Sequence, residues 1–262
     1  NIAFATPGAL AVDAGGGALF EAGLTGSGAR TGKRGLFAPG AGGLTELVLR
    51  QGDAVAALGL DLPGNAVVAS LGGPLRQQAG RGLFQATVKG TGVTAVNNRL
   101  LLLDDGIRVR PLLRSGQGIT LLFGASVNRT LEVAQSHDQD AIAVTYVLNK
   151  GGSTAVTGAN DTGLLLLRHD GSTQGIGTGR EGAEAFGGGG TFGQFTGRVA
   201  AGQGDTVHFS ALYQPTVGKA VPALFRTTLD GVTRSRTATV GDAAPGAGGA
   251  TFASFKGLSQ MG

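Results

Sequence analysis

The feature that most constrains this chain is an internal repeat of about 64 residues. One apolar position recurs with spacings of 64, 60 and 65 residues: Phe20, Phe84, Val144 and Phe209. Two series of glycines keep nearly the same period: Gly43, Gly106, Gly171 and Gly231, and Gly52, Gly116, Gly182 and Gly241. Three independent markers with one period predict four copies of a single structural unit.

Each copy contains four short apolar runs, which we interpret as strands a to d. Strand a is predicted over Ala18–Leu24, Gly82–Val88, Ala141–Leu148 and Thr206–Tyr213. Strand b is predicted over Gly35–Phe37, Leu100–Leu103, Gly163–Leu167 and Ala223–Arg226. Strand c follows a glycine-containing turn such as Asp104-Asp105-Gly106, as in Leu44–Leu49 and Ile107–Leu113. Strand d is clearest in two matching segments, Thr191–Phe195 and Thr251–Phe255.

The predicted fold class is therefore all-β, with four repeats that each form a four-stranded antiparallel sheet. The units cover approximately residues 5–71, 72–132, 133–195 and 196–255 of a single domain spanning 1–262, with spare terminal strands at Asn1–Phe4 and Thr251–Phe255. The 50 glycines would penalise long helices repeatedly. We expect a β-propeller or propeller-like array, with an open β-solenoid or sandwich stack as the alternative.

The register of strand a also carries a resemblance to a known family. The positions that match are Asp13-x-x-Gly16-x-x-Leu19-Phe20, Gln77-x-x-Gly80-x-x-Leu83-Phe84, His137-x-x-Asp140-x-x-Ala143-Val144 and Gly202-x-x-Asp205-x-x-His208-Phe209. In this register the chain resembles bacterial secreted or surface proteins built from N-x-x-G-x-x-A-F tandem repeats. The resemblance implies an exported, extracellular or cell-surface β-repeat protein, and it brings no catalytic residues to this sequence.

Composition narrows the classes of partner. Charged residues make up 15% of the chain, below the roughly 25% of an average soluble domain, which suits lateral association. The chain has no cysteine, so disulfides and thiolate metal sites are excluded. The net charge is +4, but the basic residues are scattered, and nucleic-acid binding is not predicted. No apolar run approaches the roughly 18 residues of a membrane-spanning helix.

No motif in the chain assembles into a recognisable catalytic, cofactor or metal site. Ser27–Arg34 resembles a phosphate-binding loop but lacks its first glycine and its final hydroxyl residue. Gly177–Gly182 matches G-x-G-x-x-G, but four glycines soon follow it where a helix is needed. His137–Asp140 offers too few oxygen ligands for calcium. We therefore predict no catalytic, cofactor-binding or metal residues, and no enzyme.

The function expected from these patterns is that of a structural scaffold. Such a protein would associate with further copies of itself or with adjoining repeats of a longer chain, through its terminal strands. One alternative is a propeller that binds carbohydrate, such as surface glycans, or another ligand; this alternative has 12 Phe and 2 Tyr but no Trp for stacking. A second alternative is a propeller-type glycoside hydrolase or lyase, for which no carboxylate pair is evident.

The repeat register also predicts the core. Phe20, Phe84, Val144 and Phe209 should be equivalent and buried, and a small residue follows two positions later in three of the copies. The third copy has Tyr146 at that position, where we expect local loosening.

Overall fold

The structure is a computed structural model. It describes residues 3–12, 15–26, 33–40, 44–59, 62, 65–78, 80–119, 124–135, 141–150, 156–168, 179–202, 206–228 and 231–258. Strands of the first half are β1 Ala3–Val12, β2 Ala18–Thr25, β3 Arg34–Pro39, β4 Thr45–Arg50, β5 Val67–Gln78, β6 Arg81–Lys89, β7 Arg99–Asp104 and β8 Val109–Arg114. Strands of the second half are β9 Val127–Gln135, β10 Ala141–Leu148, β11 Thr162–Arg168, β12 Gly179–Arg180, β13 Gly190–Ala201, β14 Thr206–Pro215, β15 Val221–Thr228 and β16 Arg234–Thr239. A short 3-10 turn covers Val55–Leu58.

The strands form four antiparallel sheets of four strands each. Sheet 1 contains β1–β4, sheet 2 β5–β8, sheet 3 β9–β12 and sheet 4 β13–β16, and in each sheet every strand pairs with its neighbours in the chain. The predicted strands a and b are the second and third strands of these sheets. The all-β class with four four-stranded antiparallel sheets is therefore confirmed, and each sheet has the strand order of a propeller blade.

Strand d belongs to a different sheet from the one the repeat pattern suggests. Thr191–Phe195 lies in β13, which pairs with β14 and so opens sheet 4. Phe4, expected in a spare strand, lies in β1, which pairs with β2. Each sheet thus begins one strand earlier than the predicted unit. The repeat period gives the spacing of the strands, but it does not show with which neighbouring strand each one is hydrogen-bonded.

The predicted strand c begins too early in the second copy. Ile107 is 92% exposed and lies in the turn between β7 and β8. The Asp105 carboxylate accepts the N–H groups of Ile107 at 3.0 Å and of Arg108 at 2.9 Å. This bonding confirms Asp105 as a turn residue, whereas its counterparts Asp170 and Asp230 lie outside the described residues.

The chain divides into two compact units, residues 1–117 and 118–262, with two sheets in each. The prediction of a single domain over 1–262 stays a prediction. In the first unit, Phe84 and Leu102 of sheet 2 share a buried cluster with Leu36 of sheet 1. In the second unit, Phe209 of sheet 4 shares one with Leu164 of sheet 3.

A glycine in the first strand of a sheet allows close packing on the sheet before it. In β5, Gly73 has a φ of 77°, and a Cβ there would lie 3.0 Å from the Cβ of Ala9 in β1. In β13, Gly197 has a φ of 82°, and a Cβ there would lie 3.1 Å from the Cβ of Leu131 in β9. The same contact therefore occurs once in each unit, at a β-bulge.

Tyr146 does not loosen the third sheet as we expected. The side chain is fully buried, and its cross-strand partner is Gly163. The equivalent pair in sheet 2 is Ala86 with Leu100. The large and the small residue have exchanged strands, so the tyrosine fills the space that the glycine leaves. Burial raises the pKa of the Tyr146 hydroxyl well above its ordinary value.

Candidate functional site

One face of sheet 1 is apolar and half exposed. We call it the Phe face, and we define it by six residues that share one side of the sheet: Phe4, Leu10, Phe20, Ala22, Phe37 and Leu47. The Phe4 ring centroid lies 4.8 Å from that of Phe37 and 5.9 Å from that of Phe20. The exposed fractions of Phe4, Leu10 and Leu47 are 57%, 61% and 47%. Such a cluster of large exposed apolar side chains is typical of an interaction surface.

The same face is covered in the second sheet of each unit. Phe84 and Phe209, which occupy the repeat position of Phe20, are fully buried in the clusters that join sheet 2 to sheet 1 and sheet 4 to sheet 3. Val144 is fully buried as well. The prediction of a buried side chain is thus confirmed at three positions but not at Phe20, which is only partly buried. In the described part of the first unit, no sheet packs on the Phe face.

The face of sheet 4 that points away from sheet 3 is more polar. His208, Ser210 and Arg226 alternate along β14 and β15 with the core residues Phe209 and Phe225. Burial lowers the pKa of His208, and the guanidinium of Arg226 lowers it further, so the imidazole is neutral at pH 7. Arg226 is exposed.

The segment Thr251–Phe255 keeps the register of the first strand of a sheet. Gly241 donates its N–H to the carbonyl of Phe252 at 2.9 Å, just as Gly182 donates to Phe192 at 2.7 Å at the start of β13. Beyond this point the two segments differ. β13 continues into a ladder with β14, whereas residues 253–258 make no backbone–backbone hydrogen bond with any described residue. The predicted strand Thr251–Phe255 is therefore only a bridge at Thr251, because no described strand pairs with it.

A cleft of about 310 Å³ lies between two hairpins of the first unit. Its walls are the β3–β4 hairpin, which contributes Glu46 and Leu47, and the β7–β8 hairpin, which contributes Asp104 and Arg108. Asp104 is 8% exposed and accepts the N–H of Gly106 at 3.1 Å. Burial raises the pKa of Asp104. The hydrogen bond from Gly106 lowers this pKa, and the nearby negative charges of Asp105 and Glu46 raise it. The cleft thus offers a half-apolar wall and an acidic floor.

The motifs weighed in the sequence do not form a site in the described residues. His137–Asp140 and His169 lie outside them, and so does most of Ser27–Arg34. The described residues of this glycine motif, 179–182, form β12 and a turn rather than a helix. Across the described ranges, no three His, Asp or Glu side chains come together as metal ligands, and no helix is long and apolar enough to cross a membrane.

The fold and these surfaces define a class of protein, an all-β chain built from repeated four-stranded sheets. The chain belongs to a family of unknown function, DUF7453, whose model matches residues 2–261. No curated protein matches the chain.

Proposed function

We propose that the protein is an exported scaffold that associates through its repeats with further copies of itself or with adjoining repeats of a longer chain. The observation that carries this proposal is the segment 251–258, which begins in the register of a first strand, while residues 253–258 make no backbone–backbone hydrogen bond with any described residue. The Phe255 carbonyl accepts a hydrogen bond from the Arg198 side chain at 3.4 Å. Such an edge is a template for strand addition. Thr251–Phe255 carries no charge that would blunt it before Lys256.

The repeat itself indicates which strand would be added. In sheet 4 the first strand, β13, pairs with β14, and β15 follows on the far side of β14. The segment 251–258 would accordingly accept a strand equivalent to β14 with its hairpin partner. The added strand would come from a protein of the same repeat type, and the resemblance to secreted repeat proteins supports an extracellular or cell-surface location.

The strand test uses a synthetic hairpin, residues 206–228, as the probe. The Phe252 N–H bonds to Asp242, so the N–H of Ala253 points to the opposite edge, because successive N–H groups of a strand alternate. Ala253→Pro removes that donor, and we expect it to weaken hairpin binding at least about tenfold. Fluorescence anisotropy with labelled hairpin measures this loss.

Ser254→Pro is the matched control. The N–H that it removes points to the same edge as the N–H of Phe252, towards Asp242, and not towards the added strand. This variant should bind the hairpin as the unchanged chain does. Absence of hairpin binding up to roughly 100 µM would contradict the strand-addition proposal, as would equal losses in the two proline variants.

The cleft favours one alternative, a protein that binds carbohydrate or another small hydroxyl-bearing ligand. Its volume of about 310 Å³ lies at the lower end of the range for ligand pockets. Asp104 and Glu46 could accept hydrogen bonds there, although none of the described residues that line the cleft is aromatic. A glycan array tests this alternative: binding that Asp104→Asn lowers by about tenfold or more would support it. Binding that Asp104→Asn leaves unchanged would place any glycan site elsewhere.

A further inference from the structure

The cleft between the β3–β4 and β7–β8 hairpins holds two carboxylates, those of Asp104 and Glu46, that no described residue neutralises. We propose that this cleft binds an ammonium group carried on an aliphatic chain, either a small amine or the lysine side chain of a partner protein. The site lies within the first compact unit and shares no residue with the segment 251–258. The proposal therefore does not depend on strand addition.

Asp104 is the buried acidic group of the cleft. The residue is only 8% exposed, yet it lines the cavity. Its Oδ1 accepts the N–H of Gly106 at 3.1 Å, and no described residue donates a hydrogen bond to its Oδ2. An acceptor oxygen on a buried side chain without a protein partner is uncommon, and a ligand or an ordered water usually satisfies it. The Asp104 carboxylate thus has one oxygen available to a ligand.

Glu46 provides the second carboxylate from the opposite hairpin. Its side chain is exposed, and it forms no ion pair or hydrogen bond with a described residue. The chain of Glu46 lies directly against the backbone of Gly40, where a Cβ would overlap it. The glycine therefore leaves the space that the Glu46 carboxylate occupies beside the cleft.

The neighbouring Asp105 is neutralised by arginine, whereas Asp104 is not. The Nη2 of Arg110 lies 2.6 Å from the Oδ2 of Asp105, and the positive charge of Arg108 also acts on Asp105. In contrast, the charges that act on Asp104 are those of Asp105 and Glu46, and both are negative. The negative potential at Asp104 attracts a cationic group.

The available acceptors favour an ammonium group over a guanidinium or a metal ion. A guanidinium binds a carboxylate best through two parallel hydrogen bonds, and Asp104 has only one free oxygen. An ammonium is a compact charge with three donors, so it can bond single oxygens of separate groups. Calcium takes about six to eight oxygen ligands, and among the described residues no three acidic or histidine side chains come together.

The walls of the cleft suit the hydrocarbon chain that carries the ammonium. Leu47 and Val48 line one wall, and Ile107 and Val109 line the other. Lysine side chains commonly pack their methylene groups along apolar surface and keep the charged head at a polar group. A volume of about 310 Å³ lies at the lower end of the range for ligand pockets, which suits one such chain rather than a large ligand.

The first experiment titrates the full ¹⁵N-labelled chain with lysine blocked at both ends, Nα-acetyl-lysine methylamide, and follows the amide resonances. We expect the amides of residues 104–108 to shift, with a dissociation constant of about 1 mM for a ligand of this size. Sodium chloride at the same concentrations is the control for ionic strength. It should leave these amides unchanged.

Two further probes separate the charge from the chain and a small amine from a lysine side chain. n-Butylammonium and 1-butanol have the same hydrocarbon chain, and only the first carries a charge. We expect n-butylammonium to shift the same amides and 1-butanol to leave them unchanged. Blocked lysine that binds at least about tenfold tighter than n-butylammonium identifies a protein side chain as the ligand, and similar affinities identify a small amine.

Charge-neutral variants test the two carboxylates. Asp104→Asn keeps an oxygen that can accept the Gly106 N–H, and we expect it to raise the dissociation constant about tenfold or more. Glu46→Gln should raise it about threefold, because an exposed carboxylate contributes less. Glu184→Gln is the matched control, since Glu184 is exposed and lies outside the cleft, and it should bind like the unchanged chain. Circular dichroism checks that each variant is folded.

Gly40→Ala moves the Glu46 carboxylate without removing its charge. Gly40 does not have a left-handed backbone conformation, so alanine is compatible with it, and the new Cβ would displace the flexible end of Glu46. We expect the same loss of about threefold as for Glu46→Gln. A Gly40→Ala chain that binds as tightly as the unchanged chain would contradict a direct contact between Glu46 and the ligand.

The outcomes decide the proposal without reference to hairpin binding at 251–258. Shifts at residues 104–108 that Asp104→Asn weakens and Glu184→Gln does not weaken support the ammonium site. Three results overturn it: no shift at roughly 50 mM blocked lysine, equal shifts with sodium chloride, or equal binding of 1-butanol and n-butylammonium. The last of these results would favour the neutral, hydroxyl-bearing ligand instead.

Discussion

Phe84→Ala is expected to lower the free energy of unfolding by about 3–5 kcal/mol, the usual cost of removing a fully buried phenylalanine side chain. Phe84 is fully buried between sheets 1 and 2, and Ala86 and Leu102 belong to the same cluster. The surrounding strands are held by backbone ladders on both sides of β6, so they cannot collapse into the cavity. Chemical denaturation measures the loss.

Phe20→Ala is the matched control for this prediction. Phe20 occupies the same repeat position but is only partly buried, since no sheet packs on the Phe face in the described part of the first unit. We expect a loss of about 1–2 kcal/mol, because truncating a partly buried side chain returns less apolar surface to water. Equal losses of unfolding free energy for Phe84→Ala and Phe20→Ala would contradict the difference in burial between these two side chains.

Gly197→Ala is expected to cost about 2–5 kcal/mol, the sum of two effects. A residue with a Cβ is strained at a φ of 82° by about 1–2 kcal/mol. The added Cβ would also lie 3.1 Å from the Cβ of Leu131, so β13 and β9 would have to separate slightly, and such overpacking costs about 1–3 kcal/mol. Denaturant titration of the variant gives the total.

Gly80→Ala separates the two effects. Gly80 has a φ of 74°, and a Cβ there would meet no atom within 4 Å. Its loss should therefore be limited to the backbone strain of about 1–2 kcal/mol. If Gly197→Ala lowers the free energy of unfolding no more than Gly80→Ala does, the close packing of β13 on β9 does not contribute to stability.

The sequence predicted the positions of strands a and b because both are apolar runs between turn residues. It did not predict which sheet Thr191–Phe195 joins, since that depends on the hydrogen bonds of β13 with β14. It also missed the exchange between Tyr146 and Gly163, because cross-strand register pairs residues far apart in the chain. The sequence period shows how far apart the strands are in the chain, whereas the pairing of strands depends on the hydrogen bonds of the folded backbone.

The candidate surfaces were less predictable than the strands. Phe4 and Leu47 look like ordinary strand residues, and only the absence of a covering sheet in the described first unit makes them half exposed. The sequence predicts only a turn at Asp104. It does not predict the acidic floor of the cleft, because Glu46 comes from another hairpin. In contrast, Thr251–Phe255 was recognisable from its match to Thr191–Phe195, and the bonds of Phe252 confirm the register.

The meander order of the four sheets has a consequence for how the chain folds. Every strand in these sheets is hydrogen-bonded to a strand next to it in the chain, so the strand pairs join residues that are close in sequence. Folds dominated by such short-range pairing cross their folding barrier quickly for a β protein. During synthesis, sheet 1 could form its hairpins before the residues of sheet 2 have left the ribosome. The side of sheet 1 that carries Leu19 and Leu36 would then stay exposed until sheet 2 has been synthesised and covers it.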